Sequence, residues 1–137
     1  MAQKIEITLD GVVVTASLLT EAAPRTVHAL LRACPLAGIS HHARWSGPGF
    51  NLVTRVEQLQ GLPVENPRHL LAPGTVVWIC QNSELLVAYD DVRLCNGPAQ
   101  ELFGSVIAEI DGDLAPLQER GHSLRLEGEK PISIRAL

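Results

Sequence analysis

Residues 4–19 read as a β-hairpin. Ile5, Ile7 and Leu9 alternate with Lys4, Glu6 and Thr8, the period of a strand with one buried face. Asp10-Gly11 follows, a dipeptide suited to the two-residue turn whose central positions both need positive φ. Val12 to Leu19, β-branched at its start, supplies the return strand.

Pro24 suits the first turn of a helix, where its missing N–H costs little. Val27, Leu30, Leu31 and Cys34 then fall at i, i+3, i+4 and i+7, an apolar stripe with Arg25, His28 and Arg32 off it. Pro35 and Gly38 end this helix, which is the main one the pattern predicts. The remainder reads as strands and turns. Ile39 to Ser46 is a strand ending in Gly47-Pro48-Gly49, and Phe50 to Val53 is a short one. Arg55 to Gln60 is ambiguous, Pro63, Pro67 and Pro73-Gly74 make 61–74 irregular, and 90–99 is a loop. Thr75 to Cys80 is an apolar strand buried on both faces, and Glu84 to Tyr89 is another. Gln100 to Ile110 is a long strand with Gly104 inside it, a place for a bulge or close packing. Leu114 to Arg120 reads as a short second helix, and Ser123 to Arg135 as one or two closing strands. About eight short strands with one main helix predict a mainly β domain over residues 1–137, closed into a barrel so that no edge is exposed.

Composition excludes several function classes. Hydrophobic residues make up 46% and charged residues 19%, which suits a globular chain. The formal charge is −4, so the basic footprint of a nucleic-acid binder is missing. No apolar run approaches the ~20 residues of a membrane span. Met1 to Ile7 has no signal-peptide core, so a cytoplasmic location without membrane contact is expected. Cys34, Cys80 and Cys95 are odd in number and too widely spaced for a CxxC site, which predicts reduced thiols. No phosphate loop, dinucleotide fingerprint or Gly-x-Ser-x-Gly is present, and no cofactor is expected. His41-His42 would project to opposite faces of a strand and cannot chelate one ion together, so no metal site is expected. One of the pair is expected to face inward.

Several motifs carry a family resemblance. The hairpin leads into Ala23-Pro24-Arg25-Thr26, which resembles the "P-x-T" helix start of cyclophilins. Arg44-Trp45-Ser46-Gly47-Pro48-Gly49-Phe50 is similar to their Arg-x-x-Pro-Gly-Phe run with one residue more, and Phe103-Gly104-Ser105-Val106 to their "FG-x-V" strand. His42-Ala43-Arg44-Trp45-Ser46-Gly47, Glu65-Asn66-Pro67, Ala72-Pro73-Gly74 and Leu85-Leu86-Val87-Ala88-Tyr89 together look most like a small bacterial cyclophilin-like family of unknown function. The resemblance implies a cyclophilin-like closed eight-stranded barrel and no established activity. In a prolyl isomerase of this type Arg44 would be the catalytic arginine, near the twisting prolyl nitrogen, and Phe50 a pocket aromatic. Against that, Asn51-Leu52-Val53 stands in place of Gln-Gly-Gly, Leu86 in place of a second pocket Phe, and Gln100 in place of a His.

Three readings follow. The preferred one is a module that binds a small anionic metabolite or peptide at the barrel mouth. Its site would be lined by Arg44, Trp45, Phe50, His42, Glu65, Asn66 and His69. An Arg beside aromatics suits a carboxylate with an apolar body, and polar residues held rigidly in a loop suit ligand contact. The alternatives are a divergent prolyl cis–trans isomerase and a structural homo-oligomer.

Overall fold

The computed structural model describes residues 3–137. In chain order its elements are strands β1 (Lys4–Leu9) and β2 (Val12–Leu18), helix α1 (Pro24–Ala33), and strands β3 (Leu36–Ser40), β4 (Gly49–Val53), β5 (Pro67–Arg68) and β6 (Leu70–Leu71). Strands β7 (Thr75–Ile79), β8 (Glu84–Ala88), β9 (Val92–Arg93) and β10 (Gly104–Ile110), helix α2 (Ala115–Glu127) and strand β11 (Lys130–Ala136) complete it.

Leu9 pairs with Val12, leaving Asp10 and Gly11 alone to make the turn at φ +46° and +85°. Two positive values are the mirror-image turn that matches strand twist, and Asp and Gly tolerate them. The hairpin's alternation buries Ile5, Ile7 and Leu9 completely.

The main sheet runs β3–β11–β1–β2–β10–β7–β8–β4, with antiparallel neighbours. Its two ends meet beyond Ser40. There the Asn51 N–H donates to His41 O (3.0 Å), the Ala43 N–H donates to Gly49 O (2.8 Å), and His42 bridges to Phe50. The result is a nearly closed eight-stranded antiparallel barrel with two helices, the mainly β architecture expected from the strand count. Closure leaves few backbone groups open to edge-to-edge pairing.

Side chains fill the barrel. Ile5, Ile7, Phe50, Trp78, Leu85 and Ile107 belong to one buried cluster that also takes in the apolar face of α1. Strands β7 and β8 are split between two cores. Val76, Trp78, Leu85 and Val87 point inward. Val77, Ile79, Leu86 and Ala88 point outward and lie under a second layer made by Leu71, Val92, Leu94 and Leu102. That second layer is why Thr75 to Ile79 reads as continuously apolar.

Four expectations are corrected. Strand β3 covers Leu36–Ser40 rather than 39–46, because Gly47-Pro48 turns the chain and only 41–43 stay beside β4. The irregular stretches 61–74 and 90–99 contain β5, β6 and β9; the last two form a small ribbon of their own. Strand β10 begins at Gly104, not at Gln100. A Cβ at Gly104 would lie 3.0 Å from Val77 Cβ, so this position serves close packing, while the bulge sits further on, between Val106 and Ala108. Helix α2 has 13 residues and is longer than α1, so 123–127 are helical rather than extended. Its buried positions Leu117, Gly121 and Leu124 keep helical spacing, and Gly121, a weak helix former, masks the stripe in the sequence. Neither helix is long and apolar enough to cross a membrane.

Candidate functional site

Side chains pack the barrel interior. Two clefts open instead on either hand of residues 42–44. The larger, of about 360 Å³, lies on the outer face of β4 and β8, where alternation turns Asn51, Glu84 and Leu86 away from the core. Its floor is a polar chain. Asn51 Nδ2 donates to Glu84 Oε2 (2.6 Å), Asn82 Nδ2 donates to Glu84 Oε1 (3.3 Å), and Asn82 Nδ2 also reaches Asn96 Oδ1 (3.1 Å). Ile79, Leu86 and Leu102 add an apolar side. Arg44 and Trp45 form the rim, and the Trp45 side chain is unusually open, at 56% exposure. Ser46 fixes that rim: its Oγ accepts from the Cys95 N–H (3.0 Å) and donates to Cys95 O (3.3 Å), while its carbonyl accepts from the Arg93 N–H (3.2 Å).

The smaller cleft, of about 310 Å³, shares His42, Ala43 and Arg44 with the first and adds Gly47, Pro48, Tyr89 and Arg125. His42 Nδ1 faces the Ala43 carbonyl (2.9 Å), so that nitrogen carries a proton. Nε2 then accepts from the Tyr89 hydroxyl at 2.8 Å. Burial raises the Tyr89 phenol above its ordinary range, with Asp90 adding to this and Arg125 opposing it, so the hydroxyl is a neutral donor. Of the histidine pair, His42 is the half-buried member; His41 is exposed and reaches Glu129 Oε2 at 2.7 Å.

The sequence-predicted residues separate into two groups. Arg44, Trp45 and His42 come together at the clefts. Phe50 does not: it is fully buried inside the barrel, stacked on Tyr89 at 6.4 Å, and lines neither cleft. The isomerase pairing of Arg44 with an aromatic at position 50 is therefore not assembled.

Glu65, Asn66 and His69 also fall outside. Helix α1 has Ala23 at its N-cap position and so no side-chain cap of its own. Glu65 supplies one from the loop, accepting from the Thr26 N–H (2.8 Å), Thr26 Oγ1 (2.9 Å) and Arg25 N–H (3.3 Å). These are the orphan donors at the positive end of the helix dipole. Asn66, held at φ +51°, donates through Nδ2 to Val106 O (3.1 Å) and accepts the Val106 N–H. His69 packs its ring edge against Phe103 at 5.1 Å. The Glu65-Asn66-Pro67 segment thus staples a loop to α1 and β10.

Burial alone would raise the Glu65 carboxyl, but the bonds from Thr26 and Arg25 outweigh it and hold the group below the usual carboxylate range. A depressed folded-state pKa contributes stability that is present above the unfolded value and is lost as pH falls through the folded one. Thermal denaturation is therefore expected to show a Glu65-dependent loss of stability below about pH 4.3. Glu65→Ala is expected to cost about 1 kcal/mol at neutral pH, the usual value of a helix cap, and to flatten that acid limb.

Sequence reasoning missed Asn51, Asn82, Glu84, Asn96, Tyr89 and Arg125. Asn51 alone left a local signal, a polar residue between the inward-facing Phe50 and Leu52. Among the described residues no group of three His, Cys, Asp or Glu is placed to hold a metal, and the three cysteines are unpaired.

Solved structures that share this fold include two of low sequence identity. A structure described as McbB in complex with tryptophan matches 96% of this chain and 44% of its own, with a TM-score of 0.80 and 20% identity. This chain therefore spans less than half of McbB. The solution structure of the hypothetical protein AF2241 from Archaeoglobus fulgidus matches 98% of this chain and 94% of its own, with a TM-score of 0.62 and 15% identity. At these identities the likeness establishes the barrel and nothing of the chemistry. No curated protein matches the chain. The family model of DUF3830 matches residues 5–136, and the chain belongs to that family of proteins of unknown function.

Proposed function

We propose that the protein binds a small anionic metabolite or a peptide carboxylate in the larger cleft. Arg44 would hold the anionic end and the Trp45 indole would cover the apolar body. The carrying observation is the Arg44 guanidinium, exposed on the ridge between two clefts and without an acidic partner among the described residues. An Arg so placed presents a bidentate donor face to an incoming carboxylate. The amide and carboxylate groups of Asn51, Asn82, Glu84 and Asn96 offer convergent hydrogen bonds, and the volume suits a metabolite. The tryptophan in the McbB complex adds support, since a protein of this fold is known with an amino acid bound. The reading keeps the cyclophilin-type description of the barrel and a cytoplasmic location.

The test is a thermal-shift panel of carboxylate metabolites, amino acids, divalent metals and proline peptides on wild type and Arg44→Ala. A ligand at 100 times its Kd adds about 2.7 kcal/mol, which is several degrees for a domain of this size. A carboxylate or amino-acid shift in wild type that vanishes in Arg44→Ala is expected. Proline peptides as the sole stabilisers would favour the isomerase reading instead. Shifts from metals alone, or shifts identical in the two proteins, would overturn the proposal.

A further inference from the structure

The smaller cleft is cationic in an acidic protein. Arg44 and Arg125 line it and no carboxylate does, although the chain carries a formal charge of −4. The acids nearest in sequence to its residues make other contacts, although the Asp90 charge still acts on Tyr89. Asp90 Oδ1 accepts from the Asp91 N–H (2.9 Å), Glu127 pairs with Lys130 (3.4 Å), and Glu129 contacts His41 (2.7 Å). The other arginine of α2, Arg120, is paired with Asp10 at 3.1 Å. Arg125 has no such partner among the described residues, and it is exposed.

The dipole of α2 favours a cation in its last turn but does not decide which way that cation faces. Gly121 decides it. A Cβ there would come within 2.5 Å of the Tyr89 ring, so this face of the helix lies flush on the tyrosine. Arg125, four residues on, lies on the same face of the helix and lines the cleft with Tyr89. Tyr89 and His42 hold each other at 2.8 Å and give the cleft a rigid back. Two guanidiniums around one small volume repel each other, and a doubly charged anion between them reverses the sign of that interaction.

We infer that this cleft binds a compact dianionic group, either a phosphate monoester or a short dicarboxylate, between Arg44 and Arg125. The site goes beyond the Arg44–Trp45 reading. It shares residues 42–44 with the larger cleft and uses neither Trp45 nor the Asn51–Glu84 floor.

The test is titration calorimetry at low ionic strength with inorganic phosphate and with succinate as probes. The proteins are wild type, Arg125→Ala, Arg125→Lys and Arg55→Ala. At least one probe is expected to bind wild type and to weaken about tenfold in Arg125→Ala, the loss of one charge-assisted contact. Arg125→Lys should recover part of that loss, since it keeps the charge without the planar fork. Arg55→Ala, which removes an exposed arginine that lines neither cleft, should bind as wild type does. Phosphate binding more tightly than succinate under this pattern would identify a phosphoryl group as the ligand chemistry, and the reverse order a dicarboxylate. No binding of either probe to wild type at millimolar concentration overturns the inference, as does unchanged affinity in Arg125→Ala or an equal loss in Arg55→Ala. Arg125 is exposed, so its variants keep the fold. Failure here leaves the Arg44–Trp45 proposal standing, because that proposal is read by a thermal shift lost in Arg44→Ala and uses nothing from Arg125.

Discussion

Phe50→Ala is expected to destabilise the protein by about 3–5 kcal/mol, the cost of removing a fully enclosed aromatic. Phe50 has no exposure, and it stacks on Tyr89 with the ring planes 23° apart. Its backbone also bridges to His42 where the barrel closes. The cavity would therefore open at the seam, beneath the His42–Tyr89 contact. For a protein whose total stability is on the order of 5–15 kcal/mol, this is a large share. Urea denaturation of the variant measures it. The outcome also separates two roles for this residue. A ligand-pocket aromatic would give a variant of near-native stability that has lost binding, whereas a core aromatic gives a protein that unfolds early.

Gly121→Ala is expected to destabilise by about 1–3 kcal/mol, although alanine is the better helix former by about 1 kcal/mol. The added methyl would lie within 3 Å of three atoms of the Tyr89 ring, which is buried and tied to His42. The ring cannot swing clear as a flexible side chain would, so α2 must lift or the barrel wall must shift. Thermal denaturation gives the sign. A stabilised Gly121→Ala would mean that α2 does not rest on Tyr89, and the orientation of Arg125 would lose its explanation. A second readout is the tyrosine environment. Near-ultraviolet circular dichroism should change in Gly121→Ala and stay native in Arg125→Ala.

The hairpin, α1 and the strands at 75–79 and 84–88 were legible because each is decided by its own residues. Ile5, Ile7 and Leu9 set a period, Asp10-Gly11 sets a turn, and Val27 and Leu30 set a helical stripe. Helix α2 was not legible, since Gly121 interrupts its apolar spacing for a reason visible only when Tyr89 is in place. That Arg44, Trp45 and His42 lie close together was legible because a motif places them within four positions. The grouping with Phe50 failed because alternation along β4 sends position 50 inward and position 51 outward, which depends on which face of the strand meets the core. Glu65 drew attention as a polar loop residue, but its partners are backbone N–H groups about 40 positions earlier, a pairing local reading does not give. The clefts themselves are tertiary. Residues from 41–46, 79–86, 95–102 and α2 converge there only once the barrel has closed.

The chain has two tryptophans, and their surroundings differ enough to serve as a direct probe of the proposed site. Trp78 is 1% exposed inside the barrel and Trp45 is 56% exposed on the rim of the larger cleft. Long-wavelength emission therefore reports Trp45. The measurement is a fluorescence titration, on wild type and Arg44→Ala, with the ligand that gives the largest thermal shift. The account predicts that the ligand shifts or quenches the Trp45 emission in wild type and leaves it unchanged in Arg44→Ala. A ligand that stabilises both proteins equally, with Trp45 emission undisturbed, would contradict it.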